Sequence, residues 1–229
     1  MRTSFSLVLL AGLAAGVTGT AAAEAVFPSL GGHSVRLPIT SMQQAKTGRT
    51  VLQQFDFSCG SAAIATLLSH QYGHPISEQE VLTEMYAHGD HAKIQKEGFS
   101  MLDMKRFLEG RGFAADGFQQ SLDKLAEAKL PAIVLINEEG YHHFVVIKGL
   151  QNGMVLLGDP ARGARVLSRE QFETVWVGGL LFVIHNHVDQ ARFNLAADWR
   201  SAPRAPLARG IPLDGVAGSG IPKHGPGDF

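Results

Sequence analysis

The chain has 229 residues, 20 basic against 21 acidic, and a formal net charge of -1 at pH 7. That balance gives no electrostatic reason to expect a nucleic-acid or anionic-membrane partner. With one cysteine among its residues the chain cannot close an internal disulfide, and its 10 histidines come with no thiol pair or H-E-x-x-H, so neither a metal site nor a cofactor is expected.

Arg2 precedes the apolar run Ser6 to Val17, and the small residues Thr20 to Ala23 offer an A-x-A cleavage site. Residues 1–23 therefore read as a secretory signal peptide, too short for the ~20 apolar residues of a membrane span. Export to the periplasm is the expected consequence. Cleavage after Ala23 leaves about 205 residues, enough for one domain with a sizeable core.

Residues 24–48 mix short apolar pieces with Gly and Pro and read as an extended arm holding at most one edge strand. A folded domain is expected over 49–187. Its first helix opens at Ser58-Cys59-Gly60, puts Ile64, Leu67, Leu68 and Gln71 on one face, and ends near Tyr72-Gly73. Capping boxes at Ser77 to Glu80 and Ser100 to Asp103 predict helices to about Ala87 and Gly110, with the polar stretch His88 to Gly98 as a loop between them. Leu122 to Ala128 is a short fourth helix.

At Pro131 the period changes. Ala132–Ile136, His143–Ile147, Val155–Leu157 and Ala164–Leu167 read as strands, with Asn152-Gly153 as a hairpin signal. Ser168 to Gln171 caps one more helix, and Leu180–Ile184 is the last strand. Helices followed by an antiparallel meander predict an α+β fold. Residues 188–229, rich in Gly and Pro, are expected to form a disordered tail.

The lone thiol is the residue that needs a reason, because a leftover cysteine in an exported chain is open to oxidation. Cys59 falls at a helix start, where unpaired amides favour the thiolate, so an acidified sulfur is expected. A thiolate attacking an amide also needs a proton shuttle, a group to orient it, and oxyanion donors. His142 or His143 at a strand mouth, Asp159 before Pro160, and the amides of Gln53 and Gln54 supply those types. Strand parity adds a condition. A tight Asn152-Gly153 turn sets Asp159 opposite Val146, away from the His143 face, so a catalytic pair predicts a wider loop.

Gln53 to Gly60, His143 to Val146 and Asp159-Pro160 resemble, in order and spacing, the boxes of the C39 peptidases, papain-like enzymes that remove double-glycine leaders. The resemblance covers about residues 50 to 185. It implies a papain-like cysteine endopeptidase fold, with Gln53 as oxyanion donor, Cys59 as nucleophile, His143 rather than His142 as base and acid, and Asp159 as its orienting group. Ser58 stands where the leader-peptidase transporters usually carry an acidic residue, and no membrane helices or ATPase follow the boxes. Both features are similar to the stand-alone exported C39-like proteins of Gram-negative bacteria, one of them encoded with a functional-amyloid (Fap) secretion system. The implied partner is a polypeptide substrate, an exported or amyloid-forming chain. The alternative is a catalytically silent peptide-binding module of a secretion system.

Overall fold

The computed structural model describes residues 23–28, 34–39 and 41–202. The signal segment up to Ala22 and the end of the chain from 203 lie outside the described residues. In place of one extended arm, β1 (Ala23–Pro28) and β2 (Ser34–Ile39) pair antiparallel, with Ala23 opposite Ile39, in a unit that ends at Ser41. The second unit starts with a short helix, α1 (Met42–Thr47).

The helical half follows as α2 (Cys59–Thr66), a π-helical turn over Leu67–Tyr72, α3 (Glu78–His88), α4 (His91–Glu97) and α5 (Met101–Gly110). Gly73, at φ 73°, ends the π turn in the left-handed region that glycine tolerates. Ser77 and Ser100 cap α3 and α5 by accepting from Glu80 N and Asp103 N. The stretch expected as a loop contains α4. Its HAKIQKE sequence buries only Ile94, so no apolar stripe announces it, and the signal lies in Asp90, whose side chain accepts from Lys93 N.

The sheet half comprises β3 (Ala115–Gln119), α6 (Leu122–Ala128), β4 (Ala132–Glu138), β5 (Tyr141–Gln151), β6 (Met154–Asp159), β7 (Gly163–Ser168), α7 (Arg169–Val175) and β8 (Leu180–Ile184). The strands form one antiparallel sheet in the order β3-β8-β4-β5-β6-β7. Strand alternation divides the core. Ile133, Phe144, Val146, Phe182 and Ile184 pack with α2, α3 and α5, while Val134, Ile136, Val145, Ile147, Leu181 and Val183 pack with Leu125 of α6 and Phe172 of α7. The expected α+β class is the observed one. β3 went unseen in the sequence because Asp116-Gly117 interrupts its apolar pattern.

Structure also continues past the expected tail boundary at 188. A segment around Arg192–Asn194 bonds to the body of the unit, and α8 (Ala196–Ser201) sets Asp198 at 0% exposure. It is held by a buried charge and backbone bonds, with Phe193 and Trp199 packed against the core, and the buried charge is what a compositional reading does not register. Among the described residues no helix is long and apolar enough to cross a membrane.

Candidate active site

Cys59 is the first residue of α2, and the residues after it are small enough for the helix end to sit against its neighbours. A Cβ on Gly60 would stand 3.1 Å from Phe99 Cβ and 3.8 Å from the Phe144 ring. Ser58, fully buried, donates to Phe55 O at 3.0 Å and accepts from Phe55 N at 3.1 Å, folding the loop that leads into the helix. Cys59 as a residue is 7% exposed. Burial pushes its thiol above the ordinary value, against the lowering effect of the Phe144, Gly60 and Cys59 backbone amides. The expected acidified sulfur is therefore corrected. Helix-end amides do point at it, but loss of water costs the anion more than they return.

His143 lies on β5 opposite Ile136 and is 1% exposed, whereas His142 faces solvent. Its Nε2 stands 3.4 Å from Asp159 Oδ2, a long contact of the kind that tightens when substrate binds. Its Nδ1 is buried without a hydrogen-bond partner. The backbone amide of Phe144, the next residue, is the one that approaches the Cys59 sulfur, so α2 and β5 meet at this point.

The parity condition is met in a way the sequence reading did not foresee. Asn152 and Gly153 both have positive φ, at 53° and 70°, and form a tight two-residue turn with Gln151 opposite Met154. The expected wider loop is absent. Instead a β-bulge falls between Ile147 and Gly149, so that Val146 pairs with Gly158. One step further along that register brings Asp159 level with Val145, on the face of His143.

Asp159 is fully buried and fully engaged. Oδ1 accepts from Ala161 N at 2.8 Å and Arg162 N at 3.2 Å, while Arg165 of β7 donates to Oδ2 at 2.7 Å. Burial by itself would raise this carboxyl, but the bonds from His143 and Arg165 outweigh it and hold the group at about 2. Arg165 also forks onto Glu138 at 2.7 and 3.2 Å, and Arg162 reaches the same carboxylate at 2.6 Å. The sequence reading passed over Arg165 and Glu138. The available signal was an arginine inside the apolar strand Ala164-Arg165-Val166-Leu167.

Gln53 is tied to the same corner, since its amide N–H donates to Pro160 O at 3.0 Å. Its side chain turns toward its own loop, with Nε2 donating to Phe55 O at 2.9 Å and Oε1 buried without a partner. Gln54 is exposed. Tyr141, also unnoticed in the sequence, has its ring 5.2 Å from that of His143 and its hydroxyl 3.5 Å from Asp56 O.

The sequence profile of the peptidase C39 family matches residues 48–187. The chain belongs to the peptidase C39 family. This C39 peptidase is 41% identical over 192 residues to a probable functional amyloid protease, FapD, of Pseudomonas aeruginosa, with 83% of each chain covered. It is 37% identical over 161 residues to the protein of the same description from Pseudomonas fluorescens, covering 70% of this chain and 71% of the relative. The peptidase domain of the Streptococcus transporter ComA superposes with a TM-score of 0.49 at 24% identity, over 59% of this chain and 97% of that one. The family and the two relatives make the chain a cysteine peptidase.

Proposed function

We propose that this C39 peptidase is exported to the periplasm and cleaves peptide bonds in another exported polypeptide, with Cys59 as nucleophile, His143 as base and acid, Asp159 as orienting group and Gln53 as oxyanion donor. The observation that carries the reading is the buried His143–Asp159 contact beside the Phe144 amide that approaches the sulfur. With Nε2–H directed at Asp159, the unpartnered Nδ1 is the lone pair left to take a proton.

In this scheme the raised thiol stays protonated at rest, and His143 removes its proton as the sulfur attacks the scissile carbonyl. The Cys59 backbone N–H and the Gln53 amide receive the oxyanion, which requires Gln53 Nε2 to leave Phe55 O. His143 then gives the proton to the departing amine, and water, deprotonated by the same ring, releases the acyl group. The names of the two Pseudomonas relatives favour an amyloid-forming exported chain as substrate. The test is to compare wild type with Cys59→Ala on exported proteins of the native host. Loss of one cleavage product with an unchanged melting curve is the expected result, and unchanged processing by Cys59→Ala refutes the scheme.

A further inference from the structure

The sulfur, the imidazole and the oxyanion amide come from three separate elements, and one carboxylate beyond the C39 match touches all three supports. Asp198 on α8 is fully buried, and its Oδ1 lies 2.6 Å from Lys148 Nζ and 2.6 Å from Arg49 Nε. Its Oδ2 accepts from Gln71 Nε2 at 3.1 Å. Lys148 is the extra residue of the β5 bulge, Gln71 belongs to the π turn that continues α2, and Arg49 begins the stretch that reaches Gln53. Lys148 Nζ closes the group by donating to Arg49 O at 2.6 Å.

The same segment occupies the backbone at the bulge. Beyond Ile147 β5 has no pairing with β4, and Asn194 fills the place: its N–H donates to Lys148 O at 2.9 Å, and its side chain both accepts from Leu150 N at 2.7 Å and donates to Leu150 O at 3.0 Å. Arg192 N donates to Gln71 O at 2.8 Å. The fit leaves no room for slip, since a Cβ on Gly149 would stand 2.4 Å from Asn194 Oδ1.

Without the bulge, the tight Asn152-Gly153 turn would pair Val146 with Asp159 and turn the carboxylate to the face opposite His143. We infer that residues 192–198 are a register clamp on the active site, with Asp198 and Asn194 as positioning residues that hold the Lys148 bulge and thereby keep Asp159 against His143. The catalytic consequence rests on the triad proposed above, but the register itself does not.

The test is NMR on the full chain of wild type, Asp198→Ala and Asp198→Asn. Wild type gives cross-strand contacts of the bulged register, Val146 to Gly158, and a His143 ring held in the Nε2–H form. Asp198→Ala removes the only carboxylate on Lys148 among the described residues. It is expected to lose the Val146–Gly158 contact, gain Val146–Asp159, and release the His143 ring to a mixture of tautomers. Asp198→Asn keeps the shape but removes the anion between Lys148 and Arg49, and is expected to shift the same contacts part of the way toward the Asp198→Ala pattern. Should Asp198→Ala fail to fold, Asn194→Gly carries the same test, because glycine suits the φ of 59° and the bonds lost are the two to Leu150 and the 3.4 Å one from Trp199 Nε1. A folded Asp198→Ala or Asn194→Gly protein with the bulged contacts and the Nε2–H ring overturns the clamp. Loss of processing plays no part in that readout, so an inactive Cys59 would refute the triad and leave the register result standing.

Discussion

Replacing Arg165 by Met removes the one guanidinium on Asp159 Oδ2 while leaving a side chain of similar length in β7. The bond lost to Asp159 is 2.7 Å long, and Arg165 is 18% exposed against 0% for Asp159, so water replaces little of it; the bonds to Glu138 at 2.7 and 3.2 Å go with it. A hydrogen bond to a charged group is worth about 1.5–3 kcal/mol, and breaking a buried pair from one side costs about 3–5 kcal/mol. A loss of about 3 kcal/mol follows, and at about 2–4 °C per kcal/mol for a protein of this size the melting temperature should fall by about 6–12 °C at pH 7. The acid limb adds a second reading. Asp159 is held at about 2, below an unfolded value near ~3.9, so its stabilisation is present above that unfolded value and is lost as pH falls through the folded one. Without Arg165 the folded value rises toward the unfolded one, so the loss on acidification becomes smaller and is complete at higher pH. Thermal denaturation of both proteins between pH 2 and 7 checks both points, with Arg162→Ala as control because the Arg162 side chain is 56% exposed and pairs with Glu138 rather than Asp159. A variant with the wild-type melting temperature and an unmoved acid limb refutes the argument that Arg165 keeps Asp159 charged.

The raised Cys59 thiol predicts slow alkylation of the substrate-free protein by iodoacetamide at pH 7, with an inflection above the ordinary ~8.5; an inflection below pH 7 would show that the helix end, not burial, governs the sulfur. His70 is depressed to about 4 by burial first and then by Lys148 and Arg49. Its neutral form is favoured in the folded state, so stability is complete above the unfolded value near ~6.5 and falls as pH drops from there toward about 4. A His70→Gln protein should show a shallower loss of stability across that window in urea denaturation, and an identical slope would refute the assignment.

Local signals in the sequence carried much of this architecture. Ser77, Ser100, Ser121 and Ser168 each cap a helix, and β-branched runs at 132–136 and 143–147 lie in strands. The candidate site residues were legible as types at spacings that resemble a family, and the structure sets His143 and Asp159 in contact. What escaped was tertiary. The bulge at Lys148 depends on a carboxylate 50 positions later, which no local period encodes. The sulfur's raised proton affinity depends on how much protein covers it, and the nearest groups come from β5, through the Phe144 amide, as well as from its own helix. Arg165 looked like an ordinary strand residue until the β6–β7 register brought it beside Asp159.

The cover over Cys59 also governs how the protein ages. Attack by peroxide needs both contact with solvent and a sulfur anion, and at 7% exposure with a raised thiol the resting chain offers little of either. In the proposed scheme the sulfur gives up its proton only during attack, so damage should concentrate in turnover, and aerobic inactivation should track the number of substrate molecules handled rather than the hours of storage.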